Sequence, residues 1–253
     1  RDSGIGINAG ITNVSLSKSF TTDENGNRIP CAGELYYRGY EIHDLIKGFF
    51  LDNRFGFEEC TYLLLFGVLP DEKELQNFKQ VLNISYDLPH HFIQDVIMKS
   101  PTADIIANMT KSTLALGSYD KKMGDNSLEN VLQQCIQLIS MFPRLAVYSY
   151  QGYRHYELGK SCYIHKPLPE LSFAENILST LRSNRKYTRL EARVLDLALV
   201  LHMEHGGGSN STFTTRVVTS SGSDTYATMA AALCSLKGPL NGGGDYQLSL
   251  IHI

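Results

Sequence analysis

Thr188 to Gly208 reads TRLEARVLDLALVLHMEHGGG, and its pattern sets the fold class. Thr188 and Glu191 have the spacing of an N-terminal capping box, in which a short hydroxyl and a Glu three residues on satisfy amides that a helix start leaves free. A helix is predicted from Leu190 to about Glu204. Leu195, Leu197, Ala198, Leu199, Val200 and Leu201 surround it almost completely with apolar side chains, which predicts burial in the middle of a helical assembly. Gly206 to Gly208 end it.

Working outward, Phe57 to Phe66 (FEECTYLLLF) stops at Gly67 with Pro70 just beyond, the usual order for a helix end, and Asp71 with Glu74 opens the next helix. Further capping boxes are predicted at Asn126/Glu129 and Ser172/Glu175. Ser211 to Val218 and Thr225 to Leu236 read as two more helices. Ala227, Ala230, Ala231 and Ala232 on the second permit close helix approach, within the domain or across a dimer. Ile5 to Pro30, rich in Gly, Asn, Ser and Thr with Asp23-Glu24-Asn25-Gly26 as a turn, reads as irregular strand and loop. No internal repeat, interdomain linker or strand-helix alternation appears. The fold class is therefore all-α with short N-terminal β segments.

The chain has 253 residues, 43% hydrophobic and 19% charged, ample for a sizeable core. A net charge of -3 and a pI near 6.3 exclude the basic excess expected of nucleic-acid or anionic-membrane binders, leaving a small molecule or another protein chain as the expected partner. Cys31, Cys60, Cys135, Cys162 and Cys234 are odd in number and contain no CxxC pair, so they read as reduced thiols in a cytoplasmic compartment. The apolar runs, such as Leu195 to Leu201 with Asp196 inside, are too short to span a bilayer. The missing initial Met suggests that the natural N-terminus lies upstream.

Two segments carry candidate chemistry. In Leu201 to Arg216, LHMEHGGGSNSTFTTR, His202 and His205 stand three apart at a helix end. Zinc binding of the HExxH kind is rejected, because its ligands are four apart with Glu directly after the first His. Spacing leaves two readings open. One is a structural pair stabilised by the helix C-terminal dipole. The other is an anion site, in which His205, glycine amides and the hydroxyls of Ser209 and Ser211 hold a carboxylate. The second segment, Leu236 to Asp245 (LKGPLNGGGD), has the glycines of a phosphate loop but neither GxxxxGK[ST] nor a preceding strand, so by itself it is a helix end and a loop.

Taken together, LHMEHGGGSNSTFTTRVVTSSGSDTYATMAAALCSLKGPLNGG closely resembles the LHxxHxxNxSTFTxRVxxSTGxDxYxAxxAAxxxLKGPLHGG stretch of citrate and 2-methylcitrate synthases. Gly33 to Ile46 (GELYYRGYEIHDLI) and Phe57 to Pro70 (FEECTYLLLFGVLP) resemble that family's N-terminal motifs, so the likeness runs from about Ile5 to Gly243. It implies the family's large helical domain, a homodimer, and condensation of an acyl-CoA with a 2-oxo acid, acetyl-CoA with oxaloacetate to give citrate and CoA. It implies no permanently bound cofactor, coenzyme A thioester being a substrate. By the resemblance, His205 holds the oxaloacetate, Arg38 in YYRGY falls on a substrate-binding Arg, and Ser211 lies beside the catalytic loop. Arg38 bracing the early turn and Ser211 capping a helix are the plainer alternatives. A dicarboxylate held away from water needs cationic donors, and Arg offers bidentate geometry.

The chain departs from the family where GPLHGG reads GPLNGG, placing Asn241 at the position of the catalytic His. An amide donates a hydrogen bond to a thioester oxygen but exchanges no proton, and losing a general acid costs about 10²- to 10⁴-fold in rate, roughly 3 to 5 kcal/mol. Asn and His codons differ by one base, as do those for Gly244 and Asp245 and the Ala and Asn usual in the family. The final LSLIHI, Leu248 to Ile253, is what the transposon-end adapter CTGTCTCTTATACACATC encodes. It is expected to derive from library preparation, leaving 1-247 as an incomplete large helical domain without the small domain. On that expectation these residues alone turn over no substrate. A 2-methylcitrate synthase using propionyl-CoA, or a non-catalytic dicarboxylate-binding relative, remains as an alternative activity.

Overall fold

The computed structural model describes residues 11–84, 87–204 and 206–238. Its N-terminal part is a three-stranded antiparallel sheet in the order β1 (Ser15–Thr22), β2 (Arg28–Tyr37), β3 (Tyr40–Glu41). The predicted turn joins β1 to β2: the Asp23 carboxylate accepts from the Asn25 and Asn27 amides, and Gly26 takes φ +82°. Most side chains of β1 and β2 are exposed, and only Ser15 and Tyr37, paired with each other at one end of the ladder, are buried.

Helices follow. They are α1 (Ile42–Leu51), α2 (Phe57–Phe66), α3 (Glu72–Ile84), a π-helical turn (Ile93–Met98), α4 (Ile105–Gly117), α5 (Leu128–Tyr156), α6 (Phe173–Leu181), α7 (Arg189–Leu201), α8 (Asn210–Ser220) and α9 (Thr225–Lys237). The mostly helical expectation holds. Capping boxes form at Ser172/Glu175 and Thr188/Glu191, and Asp71 and Glu74 exchange the equivalent reciprocal bonds. The box predicted at Asn126/Glu129 does not form. α5 starts one residue later, with Ser127 as its N-cap, because the Asn126 side chain is drawn across, its Nδ2 donating to the Gly222 carbonyl at 3.0 Å.

Two cores result. One gathers α4, α5 and α9 around Met109, Leu116, Leu145, Tyr148 and Tyr226, with the alanine-rich face of α9 packed on α4 and α8 within the same chain. The other joins the sheet end to α1, α2, α6 and α7 through Tyr37, Phe49, Leu63, Phe173 and Val200, with the rings of Phe57 and Phe173 stacked at 4.0 Å. α7 corrects the expectation of all-round burial. Only Ala192, Asp196 and Val200, one stripe at helical spacing, are buried, while Leu190 and Val194 are 72% and 59% exposed, because α7 meets α2 and α6 along a single face.

Candidate active site

The end of α7 and the loop after it lie against the open end of the β1–β2 hairpin. Here three polar side chains set the backbone. The Tyr37 hydroxyl donates to the Val200 carbonyl at 2.7 Å and reaches the Glu204 carbonyl at 3.3 Å. Ser15 Oγ accepts from the Gly206 amide at 2.8 Å, and the Glu204 carboxylate accepts from the Gly207 amide, also at 2.8 Å. Gly206 and Gly207 have φ of +83° and +71°, where a side chain is strained, and a Cβ on Gly206 would come within 3.2 Å of the Ser17 amide nitrogen. The glycines thus let the loop turn while approaching β1 closely. Burial pushes the Tyr37 phenol up to about 12, so it stays a neutral donor at any working pH.

His202 caps α7, its ring Nδ1 sharing a hydrogen with the Ala198 carbonyl at 2.7 Å. This gives His202 a structural role at the helix end. His205 lies outside the described residues, as do Asn241, Gly244, Asp245 and the Leu248–Ile253 tail.

Arg38 occupies the two-residue loop between β2 and β3. It adopts φ +49° and Gly39 +91°, the positive pair that a tight right-twisted hairpin requires. A non-glycine residue there costs about 1 kcal/mol or more. The guanidinium uses Nε and Nη2 on the Leu64 carbonyl, at 3.2 and 2.8 Å, in the last turn of α2, where free carbonyls and the helix dipole favour a cation. The Arg38 amide meanwhile donates to the Val14 carbonyl, next to Ser15. Arg38 therefore braces α2 against the strand pair beside the loop that Tyr37 and Ser15 hold.

Ser211 sits in the first turn of α8. Ser209 is the N-cap, its hydroxyl accepting from the Ser211 amide at 3.1 Å, and Thr215 Oγ1 donates to the Ser211 carbonyl. Arg216, one turn on, donates to the Gly207 carbonyl at 3.3 Å, so α8 also grips the glycine turn. Sequence reasoning passed over Tyr37, Ser15 and Glu204. Their signal in the sequence is slight: a Tyr inside YYRGY, a Ser in a polar strand, and a Glu at a helix end.

Among the described residues no group of three or more His, Cys, Asp or Glu side chains is placed to hold a metal ion, and all five cysteines are free thiols. No described helix is long and apolar enough to cross a membrane.

A helical domain whose N-terminal hairpin supports a histidine- and glycine-bearing turn is the class that fold and site define. The model of the citrate synthase C-terminal domain matches residues 8–248. The chain belongs to the citrate synthase family. It is 34% identical over 239 residues to the citrate synthase of Saccharolobus solfataricus, covering 94% of this chain and 58% of that protein. It is 30% identical to the citrate/2-methylcitrate synthase of Bacillus subtilis, covering 85% and 54% respectively. Among solved structures, the ternary complex of Thermoplasma acidophilum citrate synthase with carboxymethyl coenzyme A and oxaloacetate superimposes with a TM-score of 0.74 at 29% identity, over 94% of this chain and 56% of that one. The chain thus spans a little over half the length of these relatives.

Proposed function

We propose that the gene product containing this chain condenses acetyl-CoA with oxaloacetate, giving citrate and CoA, with His205 holding the oxaloacetate and Arg38 and Ser211 contributing to substrate binding. The observation that carries the reading is family membership over residues 8–248, a span that includes the whole LHMEHGGGSNSTFTTR segment. The chemistry of the segment is in keeping with it. The segment supplies a histidine, a residue type that gives charge-assisted hydrogen bonds to a carboxylate, and the neutral buried Tyr37 adds no opposing charge. Coenzyme A thioester enters as substrate, with no resident cofactor.

Propionyl-CoA as acyl donor is the related alternative, in line with the 2-methylcitrate synthases among the relatives. A second reading, a dicarboxylate-binding relative without turnover, is favoured by Asn241, where the family's loop has its catalytic His. A coupled thiol-release assay on the gene product separates these. Restoring the acid by Asn241→His is expected to raise CoA release about 10²- to 10⁴-fold, and the ratio of acetyl- to propionyl-CoA rates names the donor. Oxaloacetate binding without CoA release, unchanged by Asn241→His, contradicts the catalytic reading.

The protein is further proposed to act as a homodimer through its helices. α8 has no buried residue, and Phe213 and Val217, one turn apart on it, are 50% and 51% exposed, as is Leu114 on α4 at 55%.

A further inference from the structure

We infer that the cleft between α2, α3 and the start of α6 is a binding site for a small zwitterion, an α-amino acid with an apolar side chain, whose ammonium is taken by Glu58 and whose carboxylate is taken by Lys79. The inference goes beyond the oxaloacetate reading and does not rest on it. Glu58 stands in the first turn of α2, whereas Arg38 grips the last, so the cleft lies toward the other end of that helix from the β2–β3 loop.

The cleft holds about 490 Å³, within the range of small-molecule sites. Several polar groups in its wall are already spent. Ser172 and Glu175 satisfy each other in their capping box, and Asn83 Nδ2 donates to the Pro169 carbonyl at 3.1 Å. Two groups of opposite charge are not spent. Glu58 is only 5% exposed, and its Oε1 accepts from the Phe173 amide at 2.8 Å, but its Oε2 is buried with no hydrogen-bond partner among the described residues. A buried carboxylate oxygen with nothing to bond is costly, and folded proteins seldom leave one so. Lys79 lines the same cleft half-buried, makes no ion pair or hydrogen bond among the described residues, and acts on Glu59 and Asp196 only through space. The two charges therefore share a wall without touching. An ammonium supplies the charge-assisted donor that Glu58 Oε2 lacks, and a carboxylate supplies the acceptor that Lys79 lacks. An α-amino acid carries both on adjacent carbons and adds no net charge to the cleft. Phe55, Leu82 and Leu171 offer apolar wall for its side chain. A metal ion is the poorer match, since the described residues contain no group of three His, Cys, Asp or Glu placed to hold one.

Calorimetry on the full gene product tests this with three probes: L-leucine, isopentylamine, which lacks the carboxylate, and isocaproate, which lacks the ammonium. Glu58→Gln keeps an acceptor for the Phe173 amide while removing the free carboxylate oxygen. Lys79→Met keeps the stem and removes the charge, and it carries the test alone should Glu58→Gln fail to fold. The expected result is saturable uptake of L-leucine that weakens about tenfold in each variant and returns in Lys79→Arg, with both truncated probes at least about tenfold weaker than L-leucine. Melting temperatures taken without ligand show whether a variant has also lost packing. No saturable uptake of L-leucine, or an affinity unchanged by Lys79→Met, overturns the inference. Isopentylamine binding as tightly as L-leucine overturns it too, because a bare cation would then suffice.

Discussion

Asp196 is 3% exposed on α7, and both its oxygens serve another helix: they accept from the amides of Gly56 and Phe57, at 2.7 and 3.1 Å, at the start of α2. Glu58 repeats the device one helix further on, accepting from the Phe173 amide at the start of α6. These carboxylates do for α2 and α6 what a local N-cap does elsewhere, and they lock three helices of the core that carries Tyr37. Sequence showed Asp196 only as a polar interruption in an apolar run, because the amides that need it lie about 140 residues away. Arg38 was legible as a candidate, but its φ of +49° and its grip on Leu64 depend on where α2 ends in space. Burial raises the Asp196 carboxyl to about 6 from an ordinary 3.8. The folded state therefore keeps a proton that the unfolded chain has released between about pH 4 and 6, so this group's contribution to stability falls as pH rises through that window and is level above it. Denaturant unfolding of Asp196→Asn, which keeps one acceptor and cannot titrate, is expected to show a flatter dependence across that range and a loss of about 1 to 2 kcal/mol at pH 7. An unchanged slope would show that Asp196 is not the titrating group.

Elements with a strong local signal were readable in advance. α2 ends at Gly67, with φ +85°, as FEECTYLLLFG implies, and the Thr188 and Ser172 boxes close as their spacing requires. At the Thr188 start, Glu191 is also held by Arg182, which with the Thr188 bonds lowers its carboxyl to about 2. Elements set by distant contacts were not readable. Asn126 left its expected box for a carbonyl 96 residues on, and α5 runs through Pro143 for 29 residues with no local mark of its length. α9 starts at Thr225 as its sequence implies, capped locally by Asp224, whose side chain accepts from the Ala227 amide, but its anchoring to the rest of the chain is set from afar. Asp120 accepts from Gln134 and Tyr226 while Gln134 accepts from Thr225, a network joining the α4–α5 loop to α5 and α9 that no short motif announces. Exposed apolar residues on α8 belong to the same scale. Phe213→Asp is expected to turn a dimer into a monomer in light scattering after gel filtration, with the helical circular dichroism retained; a dimer of unchanged stability in that variant contradicts an interface through α8.

At the scale of the whole molecule, long ordered motifs were enough to place the chain in its family, and the mostly helical architecture followed from capping and periodicity. What they left out is how the small sheet is used. Its strands are largely exposed and contribute little to either core beyond Tyr37, yet the end that holds Ser15, Tyr37 and Arg38 is joined by hydrogen bonds to α2, to the end of α7 and to the glycine turn. The N-terminal motif and the LHMEHGGG motif, far apart in sequence, are thus neighbours in space. The most direct test of this account is calorimetric titration of oxaloacetate into the gene product and into its His205→Ala variant. Saturable binding by the wild type that weakens at least about tenfold in the variant, with an unaltered melting temperature, is the predicted result. No binding by the wild type, or equal affinity in both, would contradict it.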